Sequence, residues 1–273
     1  MRPKLGIIAG GGELPGLAAA ACRAEGRPFH ILALSGHADP KVISDCPQDW
    51  IRLGEAGTGF ELLRKAGVSE VMMIGPVRRP TISELAPDFR TARFFAKVGL
   101  KALGDDGLLR AVITELENEG FQVVGIDQVL DDCLAIAGLY GRLAPDAQAE
   151  ADIRRAIEVA KGLGALDVGQ AVVVQQGIVL GVEAIEGTDR LLRRCGELAR
   201  DGVGGVLVKV RKPAQDRRID LPTIGPETLR EAAAAGLRGI AVEAGGALVL
   251  GRAAMAVEAD RLGLFLVGVE PPS

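Results

Sequence analysis

The richest run of residues able to do chemistry is V-K-V-R-K-P-A-Q-D-R-R-I-D-L-P-T-I-G, Val208 to Gly225. Its cations, Lys209, Arg211, Lys212, Arg217 and Arg218, suit phosphate oxygens, arginine through paired N–H donors and lysine as a point charge. Asp216 and Asp220 stand among them and can hold a metal ion or a water. Cations and carboxylates in one polar loop fit phosphoryl chemistry, in which positioning and charge neutralisation do most of the work. A solvated surface loop has a similar composition, but Ile219, Leu221 and Pro222 surround Asp220 with apolar side chains that argue for burial.

A second constellation, V-E-A-I-E-G-T-D over Val182 to Asp189, places Glu183, Glu186 and Asp189 within seven residues where a strand gives way to a helix. Carboxylates at a strand end can bind a divalent cation through oxygen. Equally, Thr188 or Asp189 can cap the helix and leave the other acids solvated. The third is I-I-A-G-G-G-E-L-P, Ile7 to Pro15. Glycines between strand and helix let backbone N–H groups approach an anionic oxygen, aided by the helix dipole. A plain tight turn reads the same way. The dinucleotide fingerprint is incomplete, because Pro15 replaces its last glycine and no acid follows the second strand at Ala33-Leu34-Ser35. A nicotinamide-dependent oxidoreductase is disfavoured on both counts.

These loops need elements to position them, and the chain supplies alternating ones. Lys4 to Ala9, Phe29 to Leu34, Asp49 to Leu53, Val71 to Ile74 and Phe121 to Ile126 read as strands. Between them, Leu14 to Glu25, Phe60 to Lys65, Thr91 to Leu103 and Asp106 to Glu119 read as helices. Such alternation predicts a parallel sheet with right-handed crossovers. The stretch Ala137 to Gln148 follows neither period and carries Gly and Pro, so it is read as a linker. Beyond it come a helix over Ala149 to Leu163, a hairpin turning at Gln175-Gln176-Gly177, a strand over Gly205 to Val210 and a helix over Pro226 to Ala235. The expected architecture is therefore two α/β domains, a Rossmann-like one over 1–136 and a second over 149–273, joined by 137–148, with the active site where they meet.

Composition narrows the partners. A net charge of −4 gives no reason to expect nucleic acid. The four cysteines stand far apart, with no C-x-x-C, so neither a zinc knuckle nor a disulfide framework is expected. With only two histidines, His30 and His37, a metal site must draw on carboxylates, which favours magnesium or manganese. The glycine turn after a short apolar start reads as a first strand and not as a signal peptide. No apolar run approaches the roughly 18 residues of a membrane span. The profile is that of a cytoplasmic protein.

Five segments then resemble one family in order along nearly the whole chain. They are I-A-G-G-G-x-L-P at the start, G-D-D-x-L-L-R (Gly104 to Arg110), V-E-A-x-E-G-T-D (Val182 to Asp189), K-P-x-Q-D-x-R-I-D-L-P-T-I-G (Lys212 to Gly225) and G-L-F-L-V-G-V (Gly263 to Val269). The family they resemble is that of the UDP-2,3-diacylglucosamine pyrophosphatases of LpxI type. One departure is Pro76, where a polar residue is expected. The resemblance implies hydrolysis of the substrate to UMP and 2,3-diacylglucosamine 1-phosphate in lipid A synthesis. It also implies a divalent cation such as Mg2+ or Mn2+, with water attacking the phosphorus on the sugar side. Carried onto matching positions, it implies Asp220 as the essential carboxylate, with Asp189 and Lys212 as further catalytic groups and Asp220, Asp189 and Glu186 as metal ligands. Substrate contacts are expected at Gly10, Gly11, Gly12, Leu14, Pro15, Arg79, Gly187, Thr188, Lys209, Gln215, Arg218 and Thr223. A two-histidine chain lacks the ligands of a calcineurin-like metallophosphoesterase that would catalyse the same hydrolysis. The remaining alternative is a nucleotide-sugar or dinucleotide-binding protein without turnover.

A lipid-linked nucleotide sugar further implies a transient contact with the inner membrane, and a homodimer is possible. Between Ala86 and Lys101, Phe89, Phe94 and Phe95 accompany Arg90, Arg93, Lys97 and Lys101. At helical pitch the four cations share one stripe, the pattern of an interfacial helix. An ordinary core helix with one solvated face gives the same pattern.

Overall fold

The computed structural model describes residues 2–78, 87–98, 105–213, 218 and 221–270, the side chains of 97, 98, 105 and 106 excepted. The chain divides into two compact units, Met1–Asp131 joined by Arg218, and Asp132–Gln215 with Leu221–Ser273.

In the first unit five parallel strands form one sheet: β1 (Leu5–Ala9), β2 (Phe29–Leu34), β3 (Gln48–Ile51), β4 (Glu70–Ile74) and β5 (Gln122–Val123). Their order is β3-β2-β1-β4-β5. Helix α1 (Leu14–Ala24) follows β1, α2 (Ala56–Lys65) follows β3, and α3 (Phe89–Val98) and α4 (Asp105–Asn118) both lie between β4 and β5. Parallel strands with both faces covered must be apolar throughout, and Leu5, Ile7, Ile31, Val71 and Met72 are all fully buried. The last strand is shorter than its apolar run, because Gly125 leads into a 3-10 turn at Ile126–Gln128. Helix α3 begins earlier than the apolar pattern suggests. Asp88 sets that start: its carboxylate accepts from Thr91 N at 2.7 Å and from Gly57 N, in the first turn of α2, at 2.9 Å. Burial alone would raise the Asp88 pKa, but these backbone donors outweigh it and hold the group below its ordinary value.

The second unit is built on a six-stranded sheet ordered β6-β13-β11-β9-β7-β8. Its members are β6 (Gly138–Leu139), β7 (Ala171–Gln175), β8 (Ile178–Val182), β9 (Val206–Lys209), β11 (Gly239–Glu243) and β13 (Phe265–Val269). Strands β9, β11 and β13 are parallel, and β6 on one side and β7 with β8 on the other add antiparallel pairings. A separate parallel pair joins β10 (Thr223–Ile224) to β12 (Leu248–Val249). The helices are α5 (Ala147–Ala165), α6 (Thr188–Glu197), α7 (Pro226–Ala234) and α8 (Arg252–Leu262).

The expected linker over 137–148 needs correction. Gly138 and Leu139 pair with Gly268 and Val267 as an edge strand, so this segment belongs to the second unit and the division falls at Asp131/Asp132. Two residues offer little periodicity to read. Helix α5 also starts inside the expected linker, because the Asp146 carboxylate caps it by accepting from Ala149 N at 2.8 Å. The β7–β8 hairpin turns where expected, with Gln176 and Gly177 both at positive φ. Fully buried Asp152 fixes that turn by accepting from Gln176 N at 3.0 Å and Gly177 N at 2.7 Å.

Candidate functional site

Strand β9 ends at Lys209, and α6 begins at Thr188 after Gly187, whose φ of 79° lets the chain turn out of the β8 exit. Helix α7 begins at Pro226, just after β10. These ends border a cavity of about 320 Å³ lined by Glu186, Gly187, Thr188, Asp189, Arg190, Arg193, Thr223 and Thr228. Two helix amino ends and the carboxyl end of a strand make it the kind of place where α/β sheets bind anionic ligands.

Lys209 ties the walls together from behind. Its Nζ donates to Thr188 Oγ1 at 2.9 Å and to the Thr223 carbonyl at 3.0 Å, and the residue is only 6% exposed. Thr188 Oγ1 in turn donates to Glu183 Oε1 at 2.6 Å. Glu183 is buried as well and also accepts from Gln170 N at 3.4 Å. Both direct partners of the Lys209 ammonium are neutral, so a buried positive charge stands next to two helix amino ends. Arg193 is held across the cavity edge by Glu231, its Nε donating to both carboxylate oxygens at 3.1 Å, and this contact raises its pKa. Arg190 makes no ion pair or hydrogen bond among the described residues and remains open to an incoming anion.

The two oxygens of Glu186 accept from Arg194 Nη2 at 2.8 Å and Ala184 N at 3.1 Å. Its own backbone N–H, then Arg194 and Ala184, hold its pKa below the ordinary glutamate value against the opposing effect of burial. Both oxygens thus brace the β8–α6 loop, each through one hydrogen bond. Asp189 lies exposed in the first turn of α6, where the helix dipole favours a negative charge. Among the described residues no group of three or more His, Cys, Asp or Glu side chains is placed to hold a metal ion.

Of the residues singled out from sequence, Glu186, Gly187, Thr188, Asp189 and Thr223 thus line one cavity, with Lys209 bonded to two of them. Lys212 is not among its lining residues: its Nζ donates to Asp167 Oδ1 at 2.6 Å in a partly buried ion pair. Arg218 pairs with Glu117 at 2.8 Å in the first unit. Asp220, Gln215 and Arg79 lie outside the described residues. The glycine loop with Leu14 and Pro15 is in the first unit, and its amides are less available than the sequence suggests. Gly10 N donates to Ile74 O at 2.8 Å and Gly11 N to Pro76 O at 2.9 Å. A Cβ on Gly10 would lie 2.5 Å from Gly75 O, so this glycine is required by the close approach of two loops. Gly12 follows with φ 73° at the turn into α1. Sequence reasoning missed Arg190, Arg193 and Thr228. The signal for the arginines was cations directly after a helix start, whereas Thr228 gave none, lying within an ordinary helical turn.

Comparison with known proteins agrees with this division. The family model described as the LpxI N-terminal domain matches residues 4–133, and that of the LpxI C-terminal domain matches residues 136–267. The chain is 44% identical, over 98% of each sequence, to the protein of Caulobacter vibrioides named UDP-2,3-diacylglucosamine pyrophosphatase LpxI. With both domains matched and that identity held over nearly its full length, the chain belongs to the LpxI family.

Proposed function

We propose that this protein hydrolyses the pyrophosphate of UDP-2,3-diacylglucosamine to UMP and 2,3-diacylglucosamine 1-phosphate, a step of lipid A synthesis. The observation that carries the proposal is its 44% identity over 98% of its length to a protein so named. The cavity at the start of α6 supports it chemically. Lys209, Arg190 and the amide ends of two helices supply positive potential for a diphosphate, in a place already shaped to receive it. The strand order of the first unit, 3-2-1-4-5, matches five of the six strands of the doubly wound Rossmann order and supports reading this unit as Rossmann-like.

Magnesium or manganese is the proposed cofactor, on the strength of the family resemblance. The proposed ligands are Asp220, Asp189 and Glu186, the last with one hydrogen bond on each oxygen and further lone pairs for a cation. Such an ion would neutralise charge on the diphosphate; the cations of the cavity bind and orient it in any case. The proposed site of action is the cytoplasmic face of the inner membrane, where a diacylated substrate resides, with contact through the helix α3.

Release of UMP from the lipid substrate, followed with chelator and then with added Mg2+ or Mn2+, tests the reading. UMP and the sugar 1-phosphate should appear in equal amounts, and chelation should stop both. UDP as the product, or no release with any divalent ion, overturns it.

A further inference from the structure

Glu183 takes no part in the chemistry proposed above, yet it is buried and its carboxylate is bonded to Thr188 of the cavity wall. The direction of its contacts is fixed by chemistry. Lys209 can only donate and an ionised Glu183 can only accept. The single hydroxyl proton of Thr188 therefore goes to Glu183, and its oxygen accepts from Lys209. Thr188 Oγ1 is consequently no donor to a phosphate. Lys209 has three N–H bonds, of which Thr188 Oγ1 and Thr223 O take two. Only the third is left for a ligand. The Glu183 backbone is held as firmly as its side chain. Its N–H donates to Ala171 O at 2.8 Å, and the loop at Gly169 approaches so closely that a Cβ there would sit 2.0 Å from Glu183 O.

We infer that Glu183 is a positioning residue: through the Thr188 hydroxyl it fixes the Lys209 ammonium beneath the cavity, so that one N–H is kept for a phosphoryl oxygen of the substrate. The inference rests on the proposed function, and the two can fail separately. A preorganised donor is worth more to the transition state than to the ground state, because its alignment costs nothing at the moment of reaction. Glu183 is also a negative charge near an anion site, so its presence weakens simple anion binding. The two effects act on different kinetic constants.

Glu183→Gln therefore separates them. The amide can turn its NH2 toward Thr188, which frees the hydroxyl proton and loosens Lys209, while the lost charge favours anions. The expected result is a fall in kcat of at least ~10-fold with KM unchanged or lower. In parallel, Thr188→Val removes the bridge from the other side and should lower kcat comparably, with Thr188→Ser retaining at least ~10-fold more activity than Thr188→Val. The Thr188 pair decides the matter if Glu183→Gln does not fold. Unchanged kcat in Glu183→Gln, or equal losses in the two Thr188 variants, overturns the inference.

Inorganic pyrophosphate gives a readout that does not depend on the lipid substrate. It should raise the melting temperature of the unmodified protein and of Glu183→Gln by at least as much, since ligand binding stabilises the native state. No shift with the unmodified protein overturns the inference. A shift without turnover of UDP-2,3-diacylglucosamine overturns only the substrate reading.

Discussion

Lys209 keeps a charged ammonium at 6% exposure with two neutral acceptors, a costly arrangement for stability alone. Such a group suits a ligand that brings the missing negative charge. Lys209→Met preserves the stem and removes the ammonium. UMP release should fall by about 10²- to 10³-fold, the scale for losing one preorganised donor, with the melting temperature changed little. A large fall in melting temperature at undiminished turnover would make Lys209 a structural pin. Glu186 carries a pH prediction at the same scale. Its pKa is lowered in the folded state by its own N–H and by Arg194, so the stability it adds is present above the ordinary glutamate pKa. That stability is lost as pH falls through the lowered folded value, when Arg194 and Ala184 N lose their acceptor. The pyrophosphate-induced melting shift should therefore shrink on acidification below the ordinary glutamate range, and the shift in Glu186→Gln should be small at neutral pH already. An unaltered shift in that variant would show that Glu186 does not shape the cavity.

Among the elements, the turn from β1 into α1 and the turn leaving β4 are built against each other. Gly10 and Gly75 face across a gap in which a Cβ on either would meet backbone within 2.5 Å. Backbone cannot yield as a side-chain tip does, so Gly10→Ala should cost about 1–3 kcal/mol, the range for overpacking. Calorimetry should show a melting temperature several degrees lower, and a value within one degree of the unmodified protein would mean that the loops part freely. This packing explains what was legible in the sequence and what was not. Strands such as Leu5–Ala9 and Phe29–Leu34 announce themselves, because burial on both faces demands unbroken apolar runs. The triple glycine announces a tight turn, but whether its amides serve a ligand or a neighbouring loop depends on the carbonyls of Ile74 and Pro76, far along the chain. The cavity behaves the same way. Gly187-Thr188-Asp189 and Lys209 stood out as residue types, whereas the bond that joins them comes from strand order, which brings β9 beside β7 and its β8 hairpin partner. Lys212 was drawn by its charged neighbourhood, and its bond to Asp167, a residue held at a positive φ of 56°, could not be read from that run.

At the scale of the whole molecule, a net charge of −4 opposes approach to an anionic leaflet, so any attachment to the inner membrane has to be local. Among the described residues no helix is long and apolar enough to cross a membrane. Helix α3 offers a local patch of another kind. Phe89 is 83% exposed and Phe95 is 40% exposed, with Arg93 exposed on the same helix. Of the basic stripe read from the sequence, Arg90 is paired with Glu119 at 2.7 Å; the side chains of Lys97 and Lys101 lie outside the described residues. Phenylalanine burial should then contribute more than charge. Two exposed rings entering the headgroup region should give binding that salt reduces only modestly, whereas a polybasic contact would weaken as rising salt shortens the Debye length. Replacing Phe89 and Phe95 together by Ser should weaken sedimentation with liposomes of inner-membrane composition severalfold, and Arg93→Glu should do so less. Activity on membrane-embedded substrate should follow the sedimentation, while activity on detergent-dispersed substrate should fall much less, because the cavity at α6 is untouched. If the double phenylalanine variant sediments as the unmodified protein does, the lipid reaches the enzyme by another surface and the exposed rings of α3 play no part in it.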